Sequence, residues 1–582
     1  MLQCSIAGAL TAGLAGGGLL LGWPDATGVI WTTRELALLA GLGLGGGALV
    51  GAPLGAATRR AGLGGAATAG LILPAALAWV PSLPLTGRAL VRADPLALGV
   101  VLGACLVVWG VVRLTRSLSV QAVVAMLLVT TMTLARGIAT SRAQPPPAGP
   151  DVLLITIDTT RADLVPGFGG DRTPADMPFM SEWSRSARRF TRAYAPTALT
   201  GPSHTSILSG RHAVEHGILA NGRTIPPGLA WVPLLLQSRG WHTRGWVSAA
   251  VLDTRLGFGR GFDDFDSRFE RRIRHGHPLL RFIPHRRVGG TGFVREDAHT
   301  VAHVVAAGPP DPSHRTFTWV HLYGPHWPYT PDPAHAERLG VAPVLDQATT
   351  GPVPLNHRTD ISDTVRDHGI ALYKAELRTL DDHLRRLLSD LPHDTRVVVV
   401  GDHGESLDEH GLWFNHGRLA TTPTARVPLW VKGPGFAPGA DDRTVSLHQL
   451  APTLLQLADV QVDIHATHLL DTPEDAVAFT VASEHVFADD EAPHPVDLGA
   501  FAAIGVRSGP WSKTASNWHD TRWAHLGQDP RELVHTDTAP APARSRIDAA
   551  WDRLTQQQVR APDAVDADTQ AALEALGYSE KE

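Results

Sequence analysis

The sequence predicts an α/β catalytic domain, a mostly parallel sheet covered by helices on both faces, preceded by an all-α transmembrane bundle. Three observations predict it. Residues 1–140 are chiefly Leu, Ala, Gly and Val with few charges. Beyond them, short apolar runs of strand length alternate with amphipathic helical stretches, the pattern of a parallel sheet. Asp158, His326 and Asp402 then follow the ends of such runs, where open α/β sheets keep their ligand crevice.

The apolar region holds five stretches, roughly 5–22, 35–57, 63–81, 95–112 and 118–135. Each approaches the ~20 residues that cross a bilayer, and buried backbone makes helices the expected form. A cleaved signal peptide would account for the first stretch only. Glycines such as Gly16-Gly17-Gly18 allow close helix packing. The expectation is a multi-pass cell-membrane protein. An odd number of spans puts the C-terminal domain opposite the N-terminus, and an extracytoplasmic catalytic domain is expected. The flanking arginines nearly balance across the two sides, so charge does not decide orientation. Residues 141–150, ending AQPPPAGP, read as a stiff proline-rich linker.

Residues 151–582 form the expected catalytic domain, with a smaller C-terminal subdomain from about residue 470. Asp151–Asp158, Thr316–Leu322 and Arg396–Val400 read as buried strands, and Pro428–Lys432 as a weaker one. Ile370–Leu388 and Ser446–Leu457 read as helices. The net charge of −6 comes with no basic recognition stripe, so no nucleic-acid partner is expected. Both cysteines, Cys4 and Cys105, lie in the apolar region. The catalytic part therefore has no disulfide, thiolate ligand or cysteine nucleophile.

Asp158, Asp402 and His403 offer two carboxylates and an imidazole, a set that suits Mn²⁺ or Mg²⁺ and also accepts Zn²⁺. Singly, Asp158 would read as a cap or turn residue, and the Asp-His pair as a surface loop. At equivalent strand ends they read together as a metal site. Thr200 precedes Gly-Pro-Ser-His, with Pro202 placed for a first helical turn. Free N–H groups there would face an anion. Thr200 reads either as a helix cap or as a hydroxyl nucleophile activated by a metal.

From about residue 150 to its end, the chain resembles the sulfatase branch of the alkaline phosphatase superfamily. The landmarks include Asp158-Thr-Thr-Arg161, Thr200-Gly-Pro-Ser-His-Thr-Ser, Gly261-Phe-Asp-Asp-Phe-Asp266 and His321-Leu-Tyr-Gly-Pro-His-Trp-Pro-Tyr329. They continue through Asp402-His-Gly-Glu405, Glu409-His-Gly411, His416-Gly, Arg426-Val-Pro-Leu and Lys432-Gly-Pro-Gly, with Leu576-Gly-Tyr578 near the end. The resemblance implies an alkaline-phosphatase-like fold and a metal-dependent hydrolase or transferase acting on phosphate or sulfate esters. It implies Asp158, Thr200, Asp402 and His403 as metal ligands, with Thr200 also the nucleophile. His326 and His416 would hold substrate oxygens or protonate the leaving group. Glu405 and His204 would at most support the ligands. Mn²⁺ is the expected ion, with Ca²⁺, Mg²⁺ or Zn²⁺ as alternatives.

The departures from the family pattern bear on chemistry. Sulfatases oxidise a cysteine or serine to formylglycine, and Thr200 cannot become that aldehyde because its β-carbon bears a methyl group. No formylglycine is expected. His204 stands where an arginine is usual and His416 where a lysine is usual. Superfamily members that act on phosphorus do use threonine directly, so phosphorus chemistry is favoured. A sulfuric ester hydrolase without formylglycine and an inactive binding protein are the alternatives. In architecture the chain is similar to lipoteichoic acid synthases and phosphoethanolamine transferases, which implies an anionic ester substrate, lipid- or polysaccharide-linked, and membrane lipid as a partner. Arg271-Arg-Ile-Arg-His and His285-Arg-Arg read first as solvated basic loops, and second as contacts to lipid headgroups or an anionic polymer.

Overall fold

Val152–Ile157 (β1) is buried along its whole length, and the rest of the architecture is built around it. In a computed structural model of the chain, the described residues are 149–268, 294–345, 360–462, 464–483, 498, 501–517 and 519–556. The expected membrane bundle, most of the linker, both basic clusters and Leu576-Gly-Tyr578 lie outside them. No helix among the described residues is long and apolar enough to cross a membrane.

The further strands of the main sheet are Arg188–Tyr194 (β2), His242–Trp246 (β3), Asp264–Asp266 (β4), Thr316–Leu322 (β5) and Arg396–Gly401 (β6). Arg426–Val427 (β7), Leu429–Lys432 (β8) and Gly439–Ser446 (β9) complete it. The strand order is β4-β3-β5-β1-β6-β8-β2-β7, with β9 also paired to β2. Strands β3 to β6 and β1 pair in parallel, as does β2 with β9. The pairs β6–β8, β2–β8 and β2–β7 are antiparallel. The sheet is thus mixed, parallel at its centre. The runs VLLITI, TFTWVHL and RVVVVG occupy that centre because β-branched and aromatic side chains fill both faces there.

Alternation along β1 sends Val152 and Leu154 into one core and Leu153, Ile155 and Ile157 into the other. The first core takes Ile207 and Leu208 from the helix Thr200–Ser209, and Leu450 and Leu454 from Leu450–Leu457. The second takes Leu372, Leu377, Leu380 and Leu384 from the helix Asp363–Leu388. That helix begins seven residues before the expected Ile370, because Ser362 caps it by accepting the Val365 N–H at 3.3 Å.

A second, antiparallel sheet follows: Val477–Ala482 (β10), Ala503–Ser508 (β11), Trp511–Ser516 (β12) and Arg522–His525 (β13). The helix Ala541–Thr555 covers it with Ile547, Ala550 and Trp551. It also grips the main domain. The Thr480 hydroxyl donates to Ala195 O at 2.7 Å, and Glu532 accepts the Thr422 N–H and hydroxyl, both at 3.0 Å.

Candidate active site

Register alone brings three chemistry-bearing residues together. Ile157 of β1 pairs with Leu322 of β5 on one side and Gly401 of β6 on the other. Asp158 and Asp402 therefore stand side by side at the carboxyl edge of the sheet, and His321, in register with Thr156, brings its Nε2 to 3.6 Å from Asp158 Oδ2. Asp158 N–H donates to Leu322 O, and Asp402 N–H to Ile157 O, both at 3.0 Å. Asp158, Asp402 and His403 are all buried.

Thr200 opens the helix that leans on this edge. Its Oγ1 lies 3.4 Å from Asp158 Oδ2, 3.5 Å from Asp158 Oδ1 and 3.3 Å from His403 Nε2. The four residues expected as ligands are thus adjacent. The expected cradle of free N–H groups at the helix start is largely absent. Gly201 N–H goes to Asn221 Oδ1 at 2.8 Å, Pro202 has no N–H, and Ser203 N–H returns to Leu199 O at 2.9 Å. The turn spends its donors inside the protein, and Asn221 lies well beyond the quoted motif.

The donor set fits a divalent cation. His403 Nδ1–H donates to the Gly404 carbonyl at 3.0 Å, which leaves the Nε2 lone pair turned to Thr200. Asp402 Oδ1 accepts the N–H groups of His403 and Thr159, at 2.7 and 3.2 Å, whereas its buried Oδ2 has no hydrogen-bond partner. Burial, and then the Asp158 charge, raise the Asp402 carboxyl well above its ordinary value. Asp158 is pushed up to about 6, chiefly by burial. Two buried carboxylates side by side, one with an orphaned oxygen, are costly unless a cation lies between them. Oxygen-rich donors with one imidazole suit Mn²⁺, Mg²⁺ or Zn²⁺.

His204, His321 and Asp402 form a second cluster of ligand atoms. His204 is already committed, however. Its Nδ1–H donates to Thr200 O and its Nε2 accepts from the Thr156 hydroxyl, both at 2.8 Å. That hydroxyl in turn accepts the Trp319 indole N–H at 3.0 Å. His204 therefore holds the Thr200 backbone, a role its sequence position left undefined. His321 accepts the Ser248 N–H at Nδ1 at 3.4 Å, and its Nε2 lies 3.6 Å from Asp158 Oδ2.

His326 and His416 form a pair, Nε2 to Nε2 at 3.0 Å, and the His416 ring centroid lies 4.6 Å from that of His403. His416 Nδ1–H donates to Ala198 O at 3.0 Å, so its Nε2 carries the lone pair. A hydrogen between the rings therefore belongs to His326 Nε2, and because Trp327 O beside Nδ1 can only accept, His326 then carries a hydrogen on each nitrogen, the imidazolium form. The other His326 nitrogen meets the Tyr323 hydroxyl at 2.8 Å and Trp327 O. Burial pushes His326 down to about 4, against the pull of Asp158. Glu405 is fully buried, accepts the Tyr329 hydroxyl and is pushed up to about 8, chiefly by burial. Tyr323, Asp297 and Glu376 also belong to this neighbourhood. Their sequence spacing carries no signal, because different elements deliver them.

Residues 150–460 match the family model described as Sulfatase. Choline-sulfatase of Rhizobium meliloti is 35% identical over 96 residues, which are 16% of this chain and 18% of that protein. The uncharacterized sulfatase YidJ of Escherichia coli is 23% identical over 358 residues, covering 54% of this chain and 68% of that one. Phosphatidylethanolamine transferase Mcr-2 of Escherichia coli is 32% identical over 100 residues, 16% of this chain and 19% of its own. Among solved structures, the phosphonate monoester hydrolase of Agrobacterium radiobacter superposes with a TM-score of 0.53 at 18% identity, covering 70% of this chain and 95% of that one. A protein solved with its substrate D-glucosamine-2-N,6-O-disulfate gives 0.52 at 18% identity, covering 70% and 98%. These two likenesses concern the fold.

Proposed function

The chain belongs to the sulfatase family, whose relatives hydrolyse or transfer sulfate or phosphate esters, and from that premise we propose a metal-dependent phosphate ester hydrolase or phosphotransferase with Thr200 as nucleophile. The observation that carries it is the Thr200 hydroxyl, 3.3–3.5 Å from His403 Nε2 and the Asp158 carboxylate. Asp158, Asp402, His403 and Thr200 Oγ1 would hold the ion, Mn²⁺ by preference, and when bound it would lower the hydroxyl pKa and neutralise the ester's charge.

Thr200 Oγ1 attacks phosphorus and forms a P–O bond, its proton passing to Asp158. The ester P–O bond breaks, and the departing oxygen takes the Nε2 proton of His326 in its imidazolium form, leaving a neutral ring whose Nδ1–H stays on Trp327 O. Water or an acceptor alcohol then attacks the phosphothreonine and gives its proton to the neutral His326, while the Thr200 O–P bond breaks and Thr200 Oγ1 takes back the proton held by Asp158. His416 Nε2 keeps His326 turned for both steps. Phosphorus is preferred to sulfur because a threonine sulfate would lack the second hydroxyl by which a formylglycine hydrate expels sulfate.

The apolar residues 1–140 support a membrane-anchored protein with an extracytoplasmic catalytic domain from residue 151 and a lipid- or polysaccharide-linked anionic substrate. A protease-protection assay on intact cells tests that placement, and full protection of the domain would reject it. A panel of aryl phosphate diesters, aryl phosphonates and aryl sulfates, assayed with Mn²⁺, tests the chemistry. Phosphorus substrates should turn over with a phosphorylated Thr200 peptide visible by mass spectrometry, and Thr200→Ala should be inactive. Undiminished turnover in Thr200→Ala would refute the mechanism, and a preference for sulfate would favour the sulfatase alternative.

A further inference from the structure

The segment Tyr323–Thr330, which carries His326, is held at three points by carboxylates from three other elements. Asp297 opens the helix Asp297–Ala306 and accepts the N–H of Tyr323 at 2.6 Å and of Gly324 at 2.9 Å. Glu376, inside the helix Asp363–Leu388, accepts the Thr330 N–H at the other end of the segment. Between them Glu405, two residues beyond His403, accepts the Tyr329 hydroxyl and the Trp327 N–H.

Holding a loop with carboxylates is costly when they are desolvated. Burial pushes Asp297 up to about 6 and Glu376 to about 7. Exposed loops ordinarily go without such restraint. Here all three carboxylates converge on the stretch whose imidazole faces His416, and Glu405 ties that stretch to the turn bearing Asp402 and His403. The loop and the candidate metal site are thereby fixed relative to each other, to the tolerance that proton transfer needs.

We infer that Asp297, Glu376 and Glu405 are positioning residues that set His326 Nε2 at the leaving oxygen of the ester. This rests on the role given to His326 above. The test is a series of aryl phosphate esters with phenols of graded acidity, assayed on the full-length protein with Mn²⁺. His326→Ala should slow the poorest leaving group by about 10²-fold or more and the most acidic phenol by only about 3-fold, steepening the leaving-group dependence. Glu405→Ala and Asp297→Ala should steepen it in the same sense, and should add little in the His326→Ala background. Glu405→Gln and Asp297→Asn, which keep an acceptor oxygen, should restore most of the lost rate. Tyr329→Phe removes one of the bonds without emptying the site, and carries the test should an alanine variant fail to fold. A uniform loss across all phenols, with an unchanged slope, would overturn the inference while leaving the role of His326 standing. An unchanged slope in His326→Ala itself would overturn both.

Discussion

His326 Nε2 lies 3.0 Å from His416 Nε2, and the Ala198 carbonyl 3.0 Å from His416 Nδ1 decides which ring carries the shared hydrogen. With Nδ1–H spent on Ala198, His416 acts as acceptor, and His326 is held with its proton outward from the loop. A positional isostere of the acceptor should therefore substitute in part. His416→Gln is expected to keep about a tenth of the parent kcat, whereas His416→Phe should lose about 10²-fold or more. Equal losses in the two variants, by steady-state kinetics, would count against the acceptor role.

Gly369 lies inside the helix Asp363–Leu388 with the Phe414 ring against its Cα; a Cβ there would enter the ring edge. Phe414 stacks on Trp327, centroids 5.0 Å apart and planes 12° apart, within the His326 loop. Alanine would contribute up to ~1 kcal/mol in helix propensity, but overpacking costs about 1–3 kcal/mol. Gly369→Ala should therefore lower the melting temperature and also reduce turnover, because the strain is passed to Trp327. A rise in melting temperature with full activity would contradict this.

The central strands and the adjacency of Asp402 and His403 were legible because each rests on contiguous residues. Thr316–Leu322 has the expected bounds, and Asp402-His403 ends its strand as a single motif. Strand direction at Leu429–Lys432 was not legible, since a short apolar run carries no sign of which neighbour it will join; it runs antiparallel to Arg396–Gly401. The N–H cradle before Ser203 failed for a related reason. Asn221 reaches Gly201 from a later segment, and no local rule ranks such long-range partners. Asp297 and Glu376 were equally hidden, being ordinary helical acids until the fold turns them on one loop.

The Glu376 carboxyl, pushed up to about 7 by burial, gives a pH dependence of definite sign. Unfolded, it would titrate near ~4.3. Between those values the folded protein keeps a proton that the unfolded chain releases, so folding stability falls as pH rises through that window and is level above it. The contribution is on the order of 3 kcal/mol. Glu376→Gln should track the parent near pH 4 and become progressively more stable than it up to pH 7. Thermal melts of both proteins at half-unit intervals measure the difference, and a constant or shrinking gap would contradict the assignment.

Asp402 should be stabilising or destabilising according to whether the cation is bound. Its Oδ1 is fully used by two N–H groups, whereas its buried Oδ2 has no hydrogen-bond partner and faces the Asp158 charge. In Asp402→Asn the carbonyl oxygen can keep both N–H bonds, and the amide nitrogen replaces the orphan oxygen with a donor toward Asp158. Without metal the repulsion between carboxylates is removed, and the variant should melt at or above the parent in excess chelator. With Mn²⁺ the order should reverse, because the parent gains about 2.7 kcal/mol at a hundredfold excess of ion over Kd, and the variant has lost a charged ligand. Melts of the two proteins with chelator and with Mn²⁺ give four values. A variant less stable than the parent in both conditions would mean that Asp402 serves the fold rather than the ion.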